Sequence, residues 1–183
     1  ARTCTATFTI DPDLQMSTLS GPAVAAPGET VQINNTVRNL GRPAAPFNVG
    51  FFLSSDSTIN RDDTLLAMRR VNGLATNATS PALPHVLIPV DAVPGPYFLG
   101  VLADADNEVN EGLTEVNNAK ALAITIAKPD LVVTALTVPA TAGTGRTITV
   151  TSTVKNQAGV AVKAGPSTLA FYLSSDAVFD PAD

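Results

Sequence analysis

The chain has 183 residues, of which 45% are apolar, and a net charge of −5, so it can bury a sizeable core but lacks the basic surface that nucleic-acid binding usually requires. No run of apolar residues is long enough to cross a bilayer. Fourteen Pro and twelve Gly separate short stretches rich in Val, Thr and Ile, which predicts an all-β protein of brief strands.

The amino terminus gives two expectations. The first residue is Ala rather than Met, which suits a mature exported protein as well as a trimmed chain, and we expect export. Cys4 is the only cysteine, so no disulfide can form within the chain. It is either an unpaired thiol or the partner of a cysteine on another chain or another segment.

Alternation of apolar and polar residues predicts the strands. Val31, Ile33 and Val37 are separated by polar residues, as in a strand with one face in water. Seven such short strands, separated by turn-rich segments, are typical of an immunoglobulin-like β-sandwich. The predicted strands are residues 13–19, 31–37, 49–53, 64–71, 85–90, 97–104 and 119–126.

The sequence also repeats itself. The stretch that starts at Pro12 aligns with the stretch that starts at Pro129, an offset of 129 − 12 = 117, and "FFLSSD" at residue 51 returns as "FYLSSD" at residue 171. Apolar positions coincide in both copies: Ile148, Val150 and Val154 follow the first pattern, and Leu169, Phe171 and Leu173 follow the second.

The repeat predicts two tandem immunoglobulin-like β-sandwiches, the second incomplete. The first domain spans residues 1–127, with a short N-terminal segment, and residues 128–183 are the N-terminal part of a second domain. Half a sandwich leaves an apolar face and a ladder edge uncovered. We expect a longer polypeptide, a strand donated by a neighbouring subunit, or an atypical capping half-domain.

These motifs carry a family resemblance. "PGETVQINNTVRNLG", "FFLSSDSTINRDDTLLA" and "IPVDAVPGPYFLGVLADADNEVNEGLTEVNNA" occur in order between two "PDL" motifs, and the chain resembles the CARDB family, the cell-adhesion-related domain found in bacteria. The resemblance covers residues 12–126 and, as a truncated copy, residues 129–183. It implies an immunoglobulin-like sandwich from exported or surface-anchored prokaryotic proteins, often in tandem arrays, without a catalytic motif.

An acidic stretch, "DADNEVNEGLTEVNN" at residues 104–118, is the first candidate site. Calcium takes six to eight oxygen ligands from carboxylates, carbonyls and amides, all of which are plentiful here. The stretch lacks the fixed spacing of an EF-hand, and a hairpin connection in which Asp and Asn accept nearby backbone N–H groups is the alternative explanation. The candidate calcium ligands are Asp104, Asp106, Glu108, Glu111 and Glu115.

A second acidic group surrounds the predicted domain junction. Only Ala127 and Lys128 separate the last strand from the second "PDL", so Asp130 is expected near the loop that follows the third strand. A cation-stiffened hinge and a loose polar junction both fit. In immunoglobulin order the two acidic loops lie at opposite ends of the domain and share no metal. The junction candidates are Asp56, Asp62, Asp63 and Asp130.

Function follows from these expectations. We expect a non-enzymatic structural or interaction module of a tandem-repeat bacterial or archaeal surface protein, with an adhesion, spacer or filament-forming role. Its partners would be other modules or subunits, including homo-polymers by strand sharing. The alternative is a carbohydrate-binding or accessory module of a secreted enzyme, although the chain has no Trp and two Tyr. An enzyme is not expected, since a catalytic triad would need His85, and Arg69 and Arg70 are expected to be solvated.

Overall fold

The computed structural model describes residues 11–112 and 115–176, so Cys4 lies outside the described ranges. Nowhere in those ranges does a helix have the length and apolarity needed to cross a membrane. The elements are β1 (Leu14–Ser20), β2 (Val24–Ala25), β3 (Thr30–Gln32), β4 (Asn34–Asn39), β5 (Phe47–Ser54), β6 (Thr64–Val71), β7 (Thr79–Ala82), β8 (His85–Leu87), β9 (Gly95–Leu102), a 3₁₀ turn (Glu115–Asn117), β10 (Ala119–Ile126), β11 (Leu131–Thr137) and β12 (Thr151–Asn156).

Residues 11–127 form two packed layers. One sheet has the strand order β1-β4-β7, and the other has the order β2-β10-β9-β5-β6. Apolar side chains from both sheets meet in one buried core, among them Leu14, Val37, Phe51, Leu99 and Ile124. Burying this alternating face supplies the main driving force for folding, at about 25 cal/mol per Å² of apolar surface. The all-β prediction is confirmed, with an arrangement consistent with a β-sandwich.

The predicted strand at residues 31–37 is two strands that belong to different sheets. β3 pairs with β8, whereas β4 pairs with β1 and β7. Ile33 lies between them, fully buried, and its N–H donates to the carbonyl oxygen of Pro84. The apolar alternation runs through the break because both halves face the same core, so the pattern alone does not reveal the change of partner.

Other strand predictions differ in detail. Residues 64–71 and 119–126 are strands with the predicted bounds, whereas β8 is shorter than its predicted stretch, 85–90. The sequence pattern missed β2, which has only two residues, and β7, which contains Pro81. Proline cannot donate to a ladder and is confined to sheet edges, and β7 lies at the edge of its sheet.

β5 is covered on both sides, although its alternation predicted one wet face. Phe52 points away from the main core and packs with Ile59, Leu102 and Ala105 in a second apolar cluster. The loop after β5 folds back over this outer face. Gly100 makes the approach possible, because a Cβ there would lie 2.5 Å from the Ile59 side chain.

The β11–β12 hairpin reproduces the β1–β4 pair at the offset of 117. Leu14 is opposite Asn39 and Leu131 is opposite Asn156, and each pair is interrupted by a register shift at the same place, between Met16 and Thr18 or between Val133 and Ala135. The first strand of each hairpin therefore bends at an equivalent residue. The sequence repeat is thus also a repeat of backbone register over these strands.

The third element of the repeat does not form a strand. Within the described part of residues 129–176, Leu169, Phe171 and Leu173 have no ladder partner, whereas their counterparts lie in β5 between β6 and β9. Phe171 is 55% exposed and Leu173 is 94% exposed. A lone strand leaves its backbone groups without a ladder, so the predicted alternation does not suffice to form one here.

Candidate functional site: the acidic loop after β9

Residues 103–118, here called the acidic loop, leave the sheet after β9 and return to it at β10. The base of the loop is closed by the N–H of Ala103, which donates to the carbonyl oxygen of Asn118 at 2.8 Å. Asp104 and Asn107 adopt positive φ angles of 50° and 58°. Asp and Asn are the non-glycine residues that tolerate this left-handed backbone best, which explains why the chain turns here.

Asp104 folds the loop from inside. Its carboxylate is fully buried and accepts the N–H groups of Glu108 at 2.8 Å and Val109 at 2.9 Å. Both carboxylate oxygens are therefore engaged by the backbone of the loop. The sequence allowed two roles for Asp104, turn formation and calcium binding. Its contacts here are those of a turn-forming residue.

Asp106 and Glu108 attach the loop to the neighbouring strands. Asp106 accepts the side-chain amide of Asn48 on β5 at 2.6 Å. Glu108 accepts two hydrogen bonds from Arg70 on β6, at 2.7 and 2.5 Å. The hydrogen bond that Arg70 donates to the Glu108 carboxylate raises the pKa of Arg70. Arg70 is thus exposed as expected but paired.

Glu111 links the loop to the start of β1. The side chain is 2% exposed, and its Oε2 accepts the N–H of Leu14 at 2.5 Å while its Oε1 accepts the side-chain amide of Asn118 at 2.8 Å. Burial raises the pKa of Glu111 to about 7, and the nearby carboxylates of Glu115 and Asp104 act in the same direction. The two hydrogen bonds oppose this shift without cancelling it.

Four residues at the end of the loop gather oxygen atoms, and we call them the 111–118 cluster: Glu111, Glu115, Asn117 and Asn118. The amide nitrogen of Asn118 donates to both carboxylates, the second at 3.1 Å to Glu115. The Oδ1 atoms of Asn117 and Asn118 are buried, and no described residue donates a hydrogen bond to either. Buried amide oxygens without a donor are costly, so these two atoms are open to a cation or a water molecule.

The five predicted ligands do not converge. Asp104, Asp106 and Glu108 each engage a different partner, and only Glu111 and Glu115 approach a common atom, the Asn118 amide nitrogen. Over residues 11–112 and 115–176, no three His, Cys, Asp or Glu side chains are grouped so that they could hold a metal ion.

The loop after β5 meets the acidic loop, and the expectation that the two lie apart is wrong. The Arg61 guanidinium donates to the carbonyl oxygens of Ala105 at 2.5 Å and Asp104 at 3.0 Å. The strand ends do point to opposite ends of the domain, as immunoglobulin order requires, but the loop runs back along the sheet. A cavity of about 720 Å³ lies between the two loops, lined by residues 57–62, 102–103, 115–116 and 118–121.

The junction candidates lie in separate local turns. Asp56 accepts the N–H of Thr58 at 2.7 Å, and Asp63 accepts the N–H of Asn60 at 2.9 Å. Asp62 is exposed beside them. Among the described residues, no hydrogen bond joins Asp130 to this loop; its N–H donates to Asn156 at 2.9 Å. The hinge remains a prediction.

Arg69 is a structural residue, and the expectation that it is solvated is wrong. It is half-buried, and its guanidinium donates to Oδ1 of Asn35 on β4 and to the side chain and carbonyl oxygen of Ser80 on β7. Burial lowers its pKa. The side chain therefore ties the edge of one sheet to the other. One signal was present: Arg69 shares the inward parity of Ala67 and Val71.

His85 lies on β8 with an exposed side chain. It therefore stands outside the core, and its backbone pairs with Gln32.

The two packed sheets define a β-sandwich module, and carboxylates of the acidic loop hold that loop in place by hydrogen bonds. The CARDB family matches residues 11–122, and the chain belongs to this family. CARDB domains are a non-catalytic module family. No curated protein sequence matches the chain.

The chain is similar to several solved structures. A CARDB domain from Pyrococcus furiosus, solved in complex with di-metal ions, is 22% identical with a TM-score of 0.50, over 67% of this chain and 95% of that one. A domain from Methanosarcina acetivorans, in a protein whose name assigns it to the cell surface, is 24% identical with a TM-score of 0.47, over 64% and 94%. A β-glucosidase from Listeria innocua is 14% identical with a TM-score of 0.41, over 64% of this chain and 16% of that one.

Proposed function

We propose that the protein is a non-enzymatic structural module of a bacterial or archaeal cell surface, built from tandem CARDB domains, in which residues 1–127 form one domain and residues 128–183 begin the next. The observation that carries this proposal is the β11–β12 hairpin. It repeats the register of β1–β4 pair for pair, including the position of the bulge, and it begins after only a short linker.

The path of the chain supports a spacer or scaffold role. Leu14 enters β1 beside the acidic loop, where Glu111 accepts its N–H. β10 ends opposite Gly95, at the other end of the domain. Successive domains joined this way extend lengthwise, and their loops and sheet edges stay accessible to partner modules in adhesion or assembly.

A cation would complete the 111–118 cluster. Calcium binds carboxylate and amide oxygens, and this cluster offers two of each, with two amide oxygens unused by the described residues. Cation binding would also relieve the repulsion around Glu111. The Pyrococcus domain was solved with di-metal ions, but at 22% identity that likeness establishes the fold alone, so the proposal rests on the oxygens of this chain.

Location is tested on intact cells that produce the protein. Antibodies against residues 11–127 should label unpermeabilised cells, and added protease should remove the label. Labelling that requires permeabilisation would contradict the surface role.

Calcium binding is tested by thermal unfolding of the purified chain. We expect millimolar calcium to raise the unfolding midpoint of the wild type, because a ligand that binds the folded state stabilises it by mass action. The variant E111Q/E115Q should lose this shift, whereas D56N/D63N should lose it only if the cation binds at the junction. An unchanged wild-type midpoint would contradict both metal sites.

A further inference from the structure

The turn before β7 carries the acceptor motif of N-linked glycosylation. Asn77, Ala78 and Thr79 form the pattern Asn-X-Thr, in which the middle residue is any residue except proline. In such a motif the side-chain amide of the asparagine receives the sugar. A motif of three residues also arises by chance, so its place in the fold decides whether it can be used.

The Asn77 side chain is exposed and unengaged. In the part of the chain that the structure describes, no residue forms a hydrogen bond with its amide group. The backbone φ of Asn77 is 61°, in the left-handed region that asparagine tolerates better than most residues. The turn is closed by the N–H of Ala78, which donates to the carbonyl oxygen of Ala75 at 3.0 Å. The amide nitrogen of Asn77 is therefore open to a reagent in solution.

The backbone of the motif is held on one side only. The N–H of Asn77 donates to the carbonyl oxygen of Asn39 at 2.8 Å, and the N–H of Asn39 donates to that of Ala78 at 3.1 Å. Thr79 is opposite Arg38 in the ladder, and β7 is the edge strand of its sheet. Because successive residues of an antiparallel strand face its partner alternately, the N–H of Thr79 faces the open edge. The motif can leave the sheet by breaking few hydrogen bonds.

A second motif of the same pattern, residues 34–36, lies in the middle of that sheet. Asn34 is exposed as Asn77 is, so exposure alone does not distinguish the two motifs. However, β4 pairs with β1 on one side and with β7 on the other, and Asn35 is fully buried. A strand held along both edges cannot enter the active site of a transferase unless the sheet unfolds. The second motif is therefore a control within the same domain.

We propose that Asn77 is an N-glycosylation site of the folded domain and that Asn34 is not. The inference rests on the proposed function, because the sugar donor is a lipid-linked oligosaccharide that only proteins brought to the membrane meet. In the transfer, Nδ2 of Asn77 forms a bond to the anomeric carbon of the sugar, and the bond from that carbon to the phosphate oxygen of the lipid carrier breaks. The lipid phosphate leaves, and a base of the transferase takes the proton from Nδ2.

A glycan on Asn77 would shield the open edge of β7. An uncovered ladder edge can pair with a strand of another chain, and proteins protect such edges with proline or with bulky cover. Pro81 already removes one backbone donor from this strand. A hydrated, bulky sugar at the start of the same strand would add a second protection.

The test uses the full-length protein recovered from the surface of the cells that produce it. Mass spectrometry of its peptides should find a glycan on Asn77 and none on Asn34. Asn77→Asp and Thr79→Ala, produced in the same cells, should lose the glycan, whereas Thr79→Ser retains the hydroxyl group and should keep it. Aspartate suits position 77 because it also tolerates the left-handed backbone. Thr79 is exposed, so all three variants should keep the wild-type unfolding midpoint.

Three results would overturn the proposal: an unmodified Asn77 in protein that has reached the surface, Thr79→Ala with the glycan occupancy of the wild type, or equal occupancy of Asn34 and Asn77. Labelling of intact cells measures the surface role separately. Protein that is labelled at the surface but carries no glycan would contradict this inference alone, whereas protein that never reaches the surface would contradict the proposed function.

Discussion

Asn39 fixes the edge of the sandwich with a single buried amide. Its Oδ1 accepts the N–H groups of Asp13 at 3.1 Å and Gly41 at 3.0 Å, and its Nδ2 donates to the carbonyl oxygens of Arg42 at 2.7 Å and Leu74 at 2.9 Å. Backbone groups from three segments thereby find partners away from water. Asn156 repeats part of this arrangement at the offset of 117, where its side chain is exposed.

Asn39 and Asn156 provide a matched test of how much a buried amide stabilises the fold. We expect Asn39→Ala to destabilise the first domain by about 3 kcal/mol, because it leaves several buried backbone groups unpaired. Asn156→Ala should change the same transition by less than about 0.5 kcal/mol, as exposed substitutions do. Denaturant unfolding measures both. Equal losses of stability would contradict the prediction that the buried hydrogen bonds of Asn39 matter more than the exposed ones of Asn156.

Glu111 makes stability depend on pH. Its pKa is raised from 4.5 to about 7 in the folded domain, so the unfolded chain releases this proton first as pH rises. The contribution of Glu111 to stability is therefore greatest below pH 4.5 and is lost as pH rises to 7. Glu111→Gln should flatten this slope and raise stability above pH 7.

The substitution suits the site because the Asn118 amide can turn its unused Oδ1 toward the new Gln NH₂ group. Thermal unfolding between pH 4 and pH 8 is the measurement, and Asp106→Asn, an exposed acid on the same loop, is the control that should keep the slope. If Glu111→Gln kept the wild-type dependence of stability on pH, that dependence could not be attributed to Glu111.

The composition of the acidic loop predicted its turn but not its contacts. Asp104 accepts N–H groups four and five residues away, which is the local bonding that Asp-rich turns favour. Glu111 and Leu14 are 97 residues apart in sequence, and Glu108 and Arg70 are 38 apart. Such partners are chosen by the packing of the strands, about which local composition says nothing.

At the scale of elements, the alternation predicted strands and faces but not partners. β6 and β10 have the predicted bounds because each keeps one pairing register along its length. β3 and β4 were merged because they share a core-facing pattern while belonging to different sheets. The loop after β5 is predicted at the opposite end of the domain from the acidic loop, since nothing local shows that Ile59 returns to cover Phe52.

Arg69 and Arg70 are adjacent on β6. Arg69 is a structural cation and Arg70 is a surface one, so their substitutions can be compared directly. We expect Arg69→Ala to destabilise the first domain by about 2 kcal/mol, because its charged hydrogen bonds to Asn35 and Ser80 join the two sheets. Arg70→Ala removes an exposed ion pair with Glu108 and should shift the unfolding midpoint far less. Denaturant unfolding of both variants decides, and equal losses would contradict the tie between sheets.

At the scale of the whole molecule, the core formed by residues 11–127 is self-contained. The side chains of its main cluster all come from residues 14–126. A chain that ends at Ala127 should therefore keep its unfolding midpoint within about 4 °C, the shift that about 1 kcal/mol produces in a domain of this size. Calorimetry measures the midpoint, and a larger fall would show that residues 128–183 belong to the same cooperative unit.

The pairing of β2 with β10 has a mechanical consequence. The two strands run in parallel, and the chain arrives at one pole of the domain and departs from the other. Tension applied through the backbone would pull these strands in opposite directions along their length, so their hydrogen bonds would be strained in shear and would break together.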